Sequence, residues 1–359
     1  QAAVAHDAST AYLNPAAMSE VDESQWLVGI QGSFSMLKFN GMDNASQFTP
    51  SLAAYWLKHI SDKWTLGATL NLPQVSMLDY GNDWPGKYYL TERRVVMAHF
   101  SPAASFRLND QWSFGGAINL YLGMLSQDAV VPSTKEGMPE GMAEVEGSAL
   151  SMGFQAGVHF RADENTTLGL MYRYRATVDL QGNADVSNYY VNDQKATSLR
   201  YSTDLLVPHA VNLSMSHFFG SFEFLLDVGY TNWQDYNYEP LILKEHYSMD
   251  NGAEWKDTYR IGVGGNYTID TGWILRAGFS YDSAPADEAY NSVDIPVSEM
   301  YRFAIGGTKV FADKHTLSLS YCYAAGDNTR INQVSNVQGN LIGEFDPLRS
   351  HTIALSFGF

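Results

Sequence analysis

His351-Thr-Ile-Ala-Leu-Ser-Phe-Gly-Phe359 is the stretch whose reading decides the fold. Ile353, Leu355, Phe357 and Phe359 are apolar, and Thr352, Ala354, Ser356 and Gly358 between them are small or polar. A period of two puts these sets on opposite faces of a β-strand. The same alternation carries Leu317, Leu319, Tyr321 and Tyr323, then Phe222, Phe224, Leu226, Val228 and Tyr230. It returns in Trp273, Leu275, Ala277, Phe279 and Tyr281, and in Leu168, Leu170, Tyr172 and Tyr174. Tyr and Trp flank the apolar face again and again, as they do where strands cross from lipid into water.

The composition of the 359 residues agrees with such strands. Acidic residues number 39 against 22 Lys plus Arg, a net charge of −17, which argues against a nucleic-acid partner. The mean hydropathy is −0.21, and no apolar run is long enough to span a bilayer as a helix. Charged residues are only 17% and aromatics 13%, with 30 Gly. Those features leave a secreted β protein or a transmembrane β-barrel. Cys322 is the single cysteine and cannot form an internal disulfide. Gln1 is not preceded by a basic-then-apolar leader, as expected of a processed or trimmed exported chain.

The connections sort by length. Short turns are predicted at Ile60–Lys63, Arg107–Asp110, Arg161–Thr166, Phe218–Ser221, Ile269–Gly272 and Phe311–His315. Long loops are predicted near 38–50, 79–92, 127–145, 182–200, 236–255, 282–297 and 327–348. Thirteen connections join 14 antiparallel strands, with long loops at one end and short turns at the other, as in a bacterial outer-membrane barrel. The long segments carry 21 acidic and 7 basic residues, 14 of the 17 excess negative charges. The fold class is therefore all-β: a 14-stranded antiparallel transmembrane barrel over 25–359. Residues 1–24 are Ala-rich and do not alternate. They are either a plug (hatch) in the lumen or a periplasmic tail.

Three places stand out. Pro73, between Leu72 and Gln74, falls inside the predicted third strand Trp64–Tyr80. Proline cannot donate to the ladder, so it marks a bulge or a kink that parts neighbouring strands. Asn14-Pro15-Ala16 is either an ordinary turn or an element whose Asn satisfies freed backbone groups. Segment 127–145 carries Val130, Val131, Met138 and Met142, apolar residues suited to a surface capture groove or to loop-on-loop packing. Inward positions hold Arg173, Arg175, Glu223, Asp227, Arg260, Arg276 and Arg302, read mainly as pairs that tie strands and plug together. No G-x-S-x-G elbow, H-E-x-x-H pair or metal-ligand spacing occurs. The expectation is no enzyme, no cofactor and no metal.

AVAHDASTAYLNPAAM (3–18) resembles the N-terminal hatch of the FadL family of outer-membrane transporters. RLNDQWSFGGAINLYLG (107–123), YTNWQDYNYEP (230–240), WKDTYRIGVGGNYTIDTGWILRAGFSYDSAPA (255–286) and VDIPVSEMYRFAIGG (293–307) resemble family segments in the same order. The terminal Phe359 resembles the closing-strand signature of outer-membrane barrels. The resemblance implies a monomeric passive channel in the bacterial outer membrane, among its lipids and lipopolysaccharide, for fatty acids or hydrocarbons. It implies a gate at Asn14, Pro15 and Ala16 beside a lateral opening at Leu72, Pro73 and Gln74, and a capture groove at the 127–145 loop. The family usually carries a further stretch before this hatch sequence, reaching toward the substrate pocket. The resemblance implies basic residues near the head group in the fatty-acid members; this chain has Ala129 and Asn251 at the aligned positions, which leaves neutral hydrocarbons open. A general diffusion porin, an outer-membrane enzyme and a surface adhesin are the competing readings, and direction of transport is open.

Overall fold

The structure is a computed structural model that describes all residues except 1, 134–135, 192–193, 234–236, 239–241, 244–252, 270–271, 288–290 and 336–337. Fourteen strands close a single antiparallel barrel among the described residues. They are β1 (Gln25–Phe39), β2 (Met42–His59), β3 (Trp64–Asp79), β4 (Glu92–Arg107), β5 (Trp112–Val131), β6 (Gly141–Arg161) and β7 (Thr166–Arg173), followed after an outer hairpin by β10 (His209–Phe219) and β11 (Phe222–Asn232). That hairpin is β8 (Ala176–Val191) with β9 (Gln194–Val207), and β7 pairs directly with β10. Three two-residue strands, β12 (Asn237–Tyr238), β13 (Ile242–Leu243) and β14 (Ala253–Glu254), lie outside the barrel wall. The wall resumes with β15 (Thr258–Ile269), β16 (Trp273–Asp282), β17 (Met300–Val310) and β18 (Thr316–Gly326). A second outer hairpin, β19 (Thr329–Ser335) with β20 (Gly339–Phe345), precedes the closing strand β21 (Arg349–Gly358). That strand pairs with β18 on one side and β1 on the other, with Leu355 opposite both Leu319 and Ile30.

Closure gives every wall strand a partner on both sides, as hydrocarbon requires. The alternating residues sort as their pattern predicts. Ile305, Leu319, Leu355 and Ile353 are exposed on the outer surface, while their neighbours face the lumen. Trp26 beside Trp56, Trp64 beside Phe106 and Trp112 beside Phe160 ring the end with short turns. Tyr230 with Tyr259 and Tyr281 with Tyr301 ring the other. Aromatic rings settle at the two lipid–water interfaces, so these girdles bracket the apolar band.

The long connections are less loop-like than their composition suggests. Segment 38–50 is a tight hairpin turning at Asn40 and Gly41, whose φ values of 50° and 75° suit a primed two-residue turn. Within 127–145, β5 continues to Val131 and β6 begins at Gly141. Segments 182–200 and 327–348 are largely the hairpins β8–β9 and β19–β20. Extra sheet forms because each hairpin has an apolar face to bury. Val178, Leu180 and Leu205 pack on Val95, Met97, Tyr121 and Leu125 of the inner wall. Ile331, Leu341 and Phe345 pack on Leu37, Phe39, Leu78, Tyr80 and Trp84.

Because Ile305 sits at the middle of β17 and faces outward, Ile305→Arg should destabilise the barrel by about 2–4 kcal/mol. Reversible denaturant unfolding in phospholipid vesicles reads this directly.

Candidate functional site

Residues 2–21 lie against the inner face of β3–β7, β10 and β11. A short helix, α1 (Thr10–Leu13), leads into a six-residue 3-10 turn at Pro15–Glu20. Pro15 occupies the first position of that turn, where its missing N–H costs nothing. Asn14 is fully buried, and both its side-chain nitrogen and its side-chain oxygen are hydrogen-bonded. Its Nδ2 donates to the carbonyls of Ala2 (2.7 Å) and Val158 (3.1 Å), and its Oδ1 accepts from the Ala16 N–H (3.1 Å). Ser105 Oγ donates to the Ala16 carbonyl at 3.1 Å, and Gln155 Nε2 to the Tyr12 carbonyl at 3.2 Å. Farther along, the Ala2 N–H donates to Ser214 Oγ at 2.8 Å, and His6 Nε2 lies 3.1 Å from Glu223 Oε2. Glu20 is paired with Arg107 and Arg161. A buried polar group left unpaired costs about 1–3 kcal/mol, so this dense satisfaction fixes the segment to the wall.

Glycines make the seat possible. A Cβ on Gly115 would collide with the Pro15–Ala16 backbone, and one on Gly157 with the Asn14 side chain. Asn14, Pro15 and Ala16 therefore rest on β4, β5 and β6.

The second element is a break in the wall. The β2–β3 ladder runs from His59↔Thr65 to Ala53↔Asn71 and stops there. Above it β2 pairs with β1 alone and β3 with β4 alone. On the β4 side three steps of β3, Asn71 to Gln74, face two of β4, His99 to Met97. That is a bulge containing Leu72 and Pro73, whose missing N–H already weakens the ladder. Ser51 Oγ donates across the seam to the Leu72 carbonyl at 3.2 Å. Trp64, in the girdle at the short-turn end, is nine residues before Pro73, close to the eight between Trp273 and Tyr281 on β16. The break thus lies at the outer edge of the apolar band.

Polar side chains gather inside this break, which sequence reasoning missed. His99 Nδ1 lies 2.9 Å from Asn71 Oδ1 and its Nε2 lies 3.1 Å from Asn119 Oδ1. Ser101 Oγ donates to Asn119 Oδ1 at 2.9 Å. Tyr121 stacks on His99 with centroids 4.8 Å apart. Pro102 in β4 was the available signal, because the β4–β5 ladder also skips there, from Phe100↔Leu120 to Ala103↔Ala117.

Cavities flank the N-terminal segment on its other side. A 360 Å³ outer cavity is lined by Leu37, Trp233, Met300, Phe345 and Leu348. It shares Arg302 with a 480 Å³ middle cavity lined by Tyr12, Leu13, Met171, Arg173 and Leu225. Toward the short turns a 620 Å³ cavity is lined by charges that include Asp7, Glu23, Arg276 and Lys314. The inward charges serve the wall and the segment. Arg260 and Arg302 face Asp282, Arg276 donates to Thr308 Oγ1 at 2.6 Å, and Arg173 to Gln155 Oε1 at 3.3 Å. Arg175 lies past the end of β7.

Of the expected capture residues, Val130 and Val131 are buried, Met138 is exposed and Met142 is half-buried. Next to loop 79–92, Arg93 ties β4 to the 291–297 segment: its Nη1 lies 3.6 Å from Asp294 Oδ2 and donates to the Asp294 carbonyl at 2.8 Å. Burial raises the Asp294 carboxyl above its ordinary value, and Arg93 opposes that rise. Burial also raises the Tyr80 hydroxyl, which donates to the Val293 carbonyl at 2.9 Å. Asn251 lies outside the described residues.

A closed 14-stranded barrel with an apolar outer band, girdles and an N-terminal segment seated in its lumen defines an outer-membrane channel-forming protein. Residues 1–357 match the family described as outer membrane protein transport protein (OMPP1/FadL/TodX), and the chain belongs to that family. It resides in the bacterial outer membrane. It is 21% identical to the long-chain fatty acid transport protein of Escherichia coli (strain K12), covering 93% of this chain and 85% of the relative. It is likewise 21% identical to outer membrane protein P1 of Haemophilus influenzae, covering 94% and 84%. The crystal structure of a Pseudomonas aeruginosa FadL homologue superposes with a TM-score of 0.89 at 19% identity, covering all of this chain and 95% of the other. The Pseudomonas putida toluene transporter TodX gives 0.73 at 17% identity, covering 99% and 95%.

If the glycine seat holds the segment, Gly115→Val should expose residues 2–24 to a broad-specificity protease while the barrel stays resistant. Protection equal to that of the unmodified protein would show that the seat is not what holds it.

Proposed function

We propose that this protein is a passive channel for hydrophobic small molecules, long-chain fatty acids or hydrocarbons, that leave the lumen sideways between β2 and β3. The observation that carries the reading is the end of the β2–β3 ladder at Ala53 and Asn71. A wall that must pair every backbone group in lipid is interrupted beside Leu72, Pro73 and Gln74, at the outer edge of the apolar band. Related proteins are named for transporting fatty acids and toluene, which supports an apolar cargo.

Residues 1–24 act as the plug, and Asn14, Pro15 and Ala16 are the anchored base of its gate. Cargo is captured around Met138 and Met142, with Val130 and Val131 packed beneath, and enters the outer cavity. It passes to the middle cavity and then to the seam. Reaching the short-turn end instead would take the cargo past Asp7, Glu23, Arg276 and Lys314. Lateral release spares the cargo that step. Each station holds cargo modestly, since a very tight site would release slowly. The channel works as a monomer, closed by β1 on β21 within one chain, among outer-membrane lipids and lipopolysaccharide, without enzymatic chemistry.

Locking the seam tests this. In a Cys322→Ser background, Leu52→Cys with Leu72→Cys, the pair that continues the register past Ala53↔Asn71, should form a disulfide that stops hydrocarbon uptake, with recovery on reduction. Full uptake by the oxidised, folded variant would rule out the lateral route.

A further inference from the structure

We propose that Tyr12 is the internal door between the middle cavity and the β2–β3 seam, and that an aromatic ring is the ligand that opens it. The inference rests on the lateral route above. From Thr10 to Ser19 every residue is buried except Tyr12 and Leu13, and both line the middle cavity. One side of the Tyr12 ring meets the guanidinium of Arg173, 4.7 Å from its centroid. Arg173 also lines that cavity. The other side meets His99 edge-on, with centroids 5.6 Å apart and planes at 64°. His99 is tied to Asn71, the last residue of β3 that still pairs with β2. One aromatic ring therefore separates the cavity from the place where the wall comes apart.

The surroundings are fixed while the ring is not. The Tyr12 carbonyl accepts from Gln155 Nε2, and Gln155 Oε1 accepts from Arg173, so backbone and guanidinium are held by the same wall residue. His99 is held on its far side by Asn119. Rotation of the Tyr12 side chain uncovers His99, and parting His99 from Asn71 then completes the passage to the seam. The ring's hold is a cation–π contact and an edge-to-face contact, both of which depend on an aromatic face. An incoming aromatic ring takes Tyr12's place over Arg173 and against His99 and keeps both contacts. A saturated ring of the same size loses the cation–π contact, which corresponds to about a fivefold slower passage.

The test is uptake of labelled toluene and labelled methylcyclohexane by cells whose outer membrane carries the protein, corrected for cells lacking it. The unmodified protein should favour toluene about fivefold. Tyr12→Phe keeps the ring and should keep that ratio. Tyr12→Ala should speed both probes and bring their ratio close to one. Arg173→Met should lower the ratio in the same direction, which keeps the proposal testable if Tyr12→Ala does not assemble. Wild-type rates and ratio in a folded Tyr12→Ala barrel would overturn the door. Adding the 52–72 lock to Tyr12→Ala separates the two readings. Continued uptake through a locked seam would contradict lateral release, and a block by the lock with no effect of Tyr12→Ala would contradict the door alone.

Discussion

Backbone hydrogen bonding in hydrocarbon is the constraint on which the rest of this structure depends. Every N–H and C=O of a wall strand must find a partner, so the sheet closes, β21 on β1. Against that rule the early end of the β2–β3 ladder is conspicuous. Pro73 and the bulge before Gln74 remove pairing where an ordinary strand would continue, and Ser51 supplies one hydrogen bond to the freed Leu72 carbonyl. Behind the gap Asn71, His99, Ser101 and Asn119 hydrogen-bond to one another. The interruption is supported from within.

The lumen divides the work between two sides. Along β3–β6 the N-terminal segment is fastened by buried hydrogen bonds and by glycines that let backbones touch. Along β15–β18 the wall is left open, and its arginines are paired with Asp282 or with hydroxyls. With the segment fixed on one side and cavities on the other, the proposed cargo route runs around it. In the proposed route the Tyr12 ring is the first barrier, with His99 and Asn71 behind it.

Much of the fold was legible in the sequence, because alternation over strands such as Trp273–Asp282 is set by lipid on one face and lumen on the other. The hairpins β8–β9 and β19–β20 were less legible. Their charge and length resemble solvated loops, and their apolar faces matter only once they fold back over Val95 and Met97 or Leu37 and Phe39. In the site, Pro73 was visible as a break, but which neighbour it parts from depends on register across strands. Asn14 was visible as a motif, and its bonds to Ala2 and Val158 were not. His99 and Tyr12 were invisible as partners because residues far apart in sequence meet only through barrel closure and the fold of the plug.

Photolabelling with a diazirine-bearing aromatic hydrocarbon tests the central claim most directly. Lateral passage predicts adducts at Tyr12 and Asn71 and at Leu52 and Leu70, the lipid-facing residues beside the seam. Adducts at Glu223, Arg276 and Thr308 of the charged cavity, with none at the seam, would contradict it.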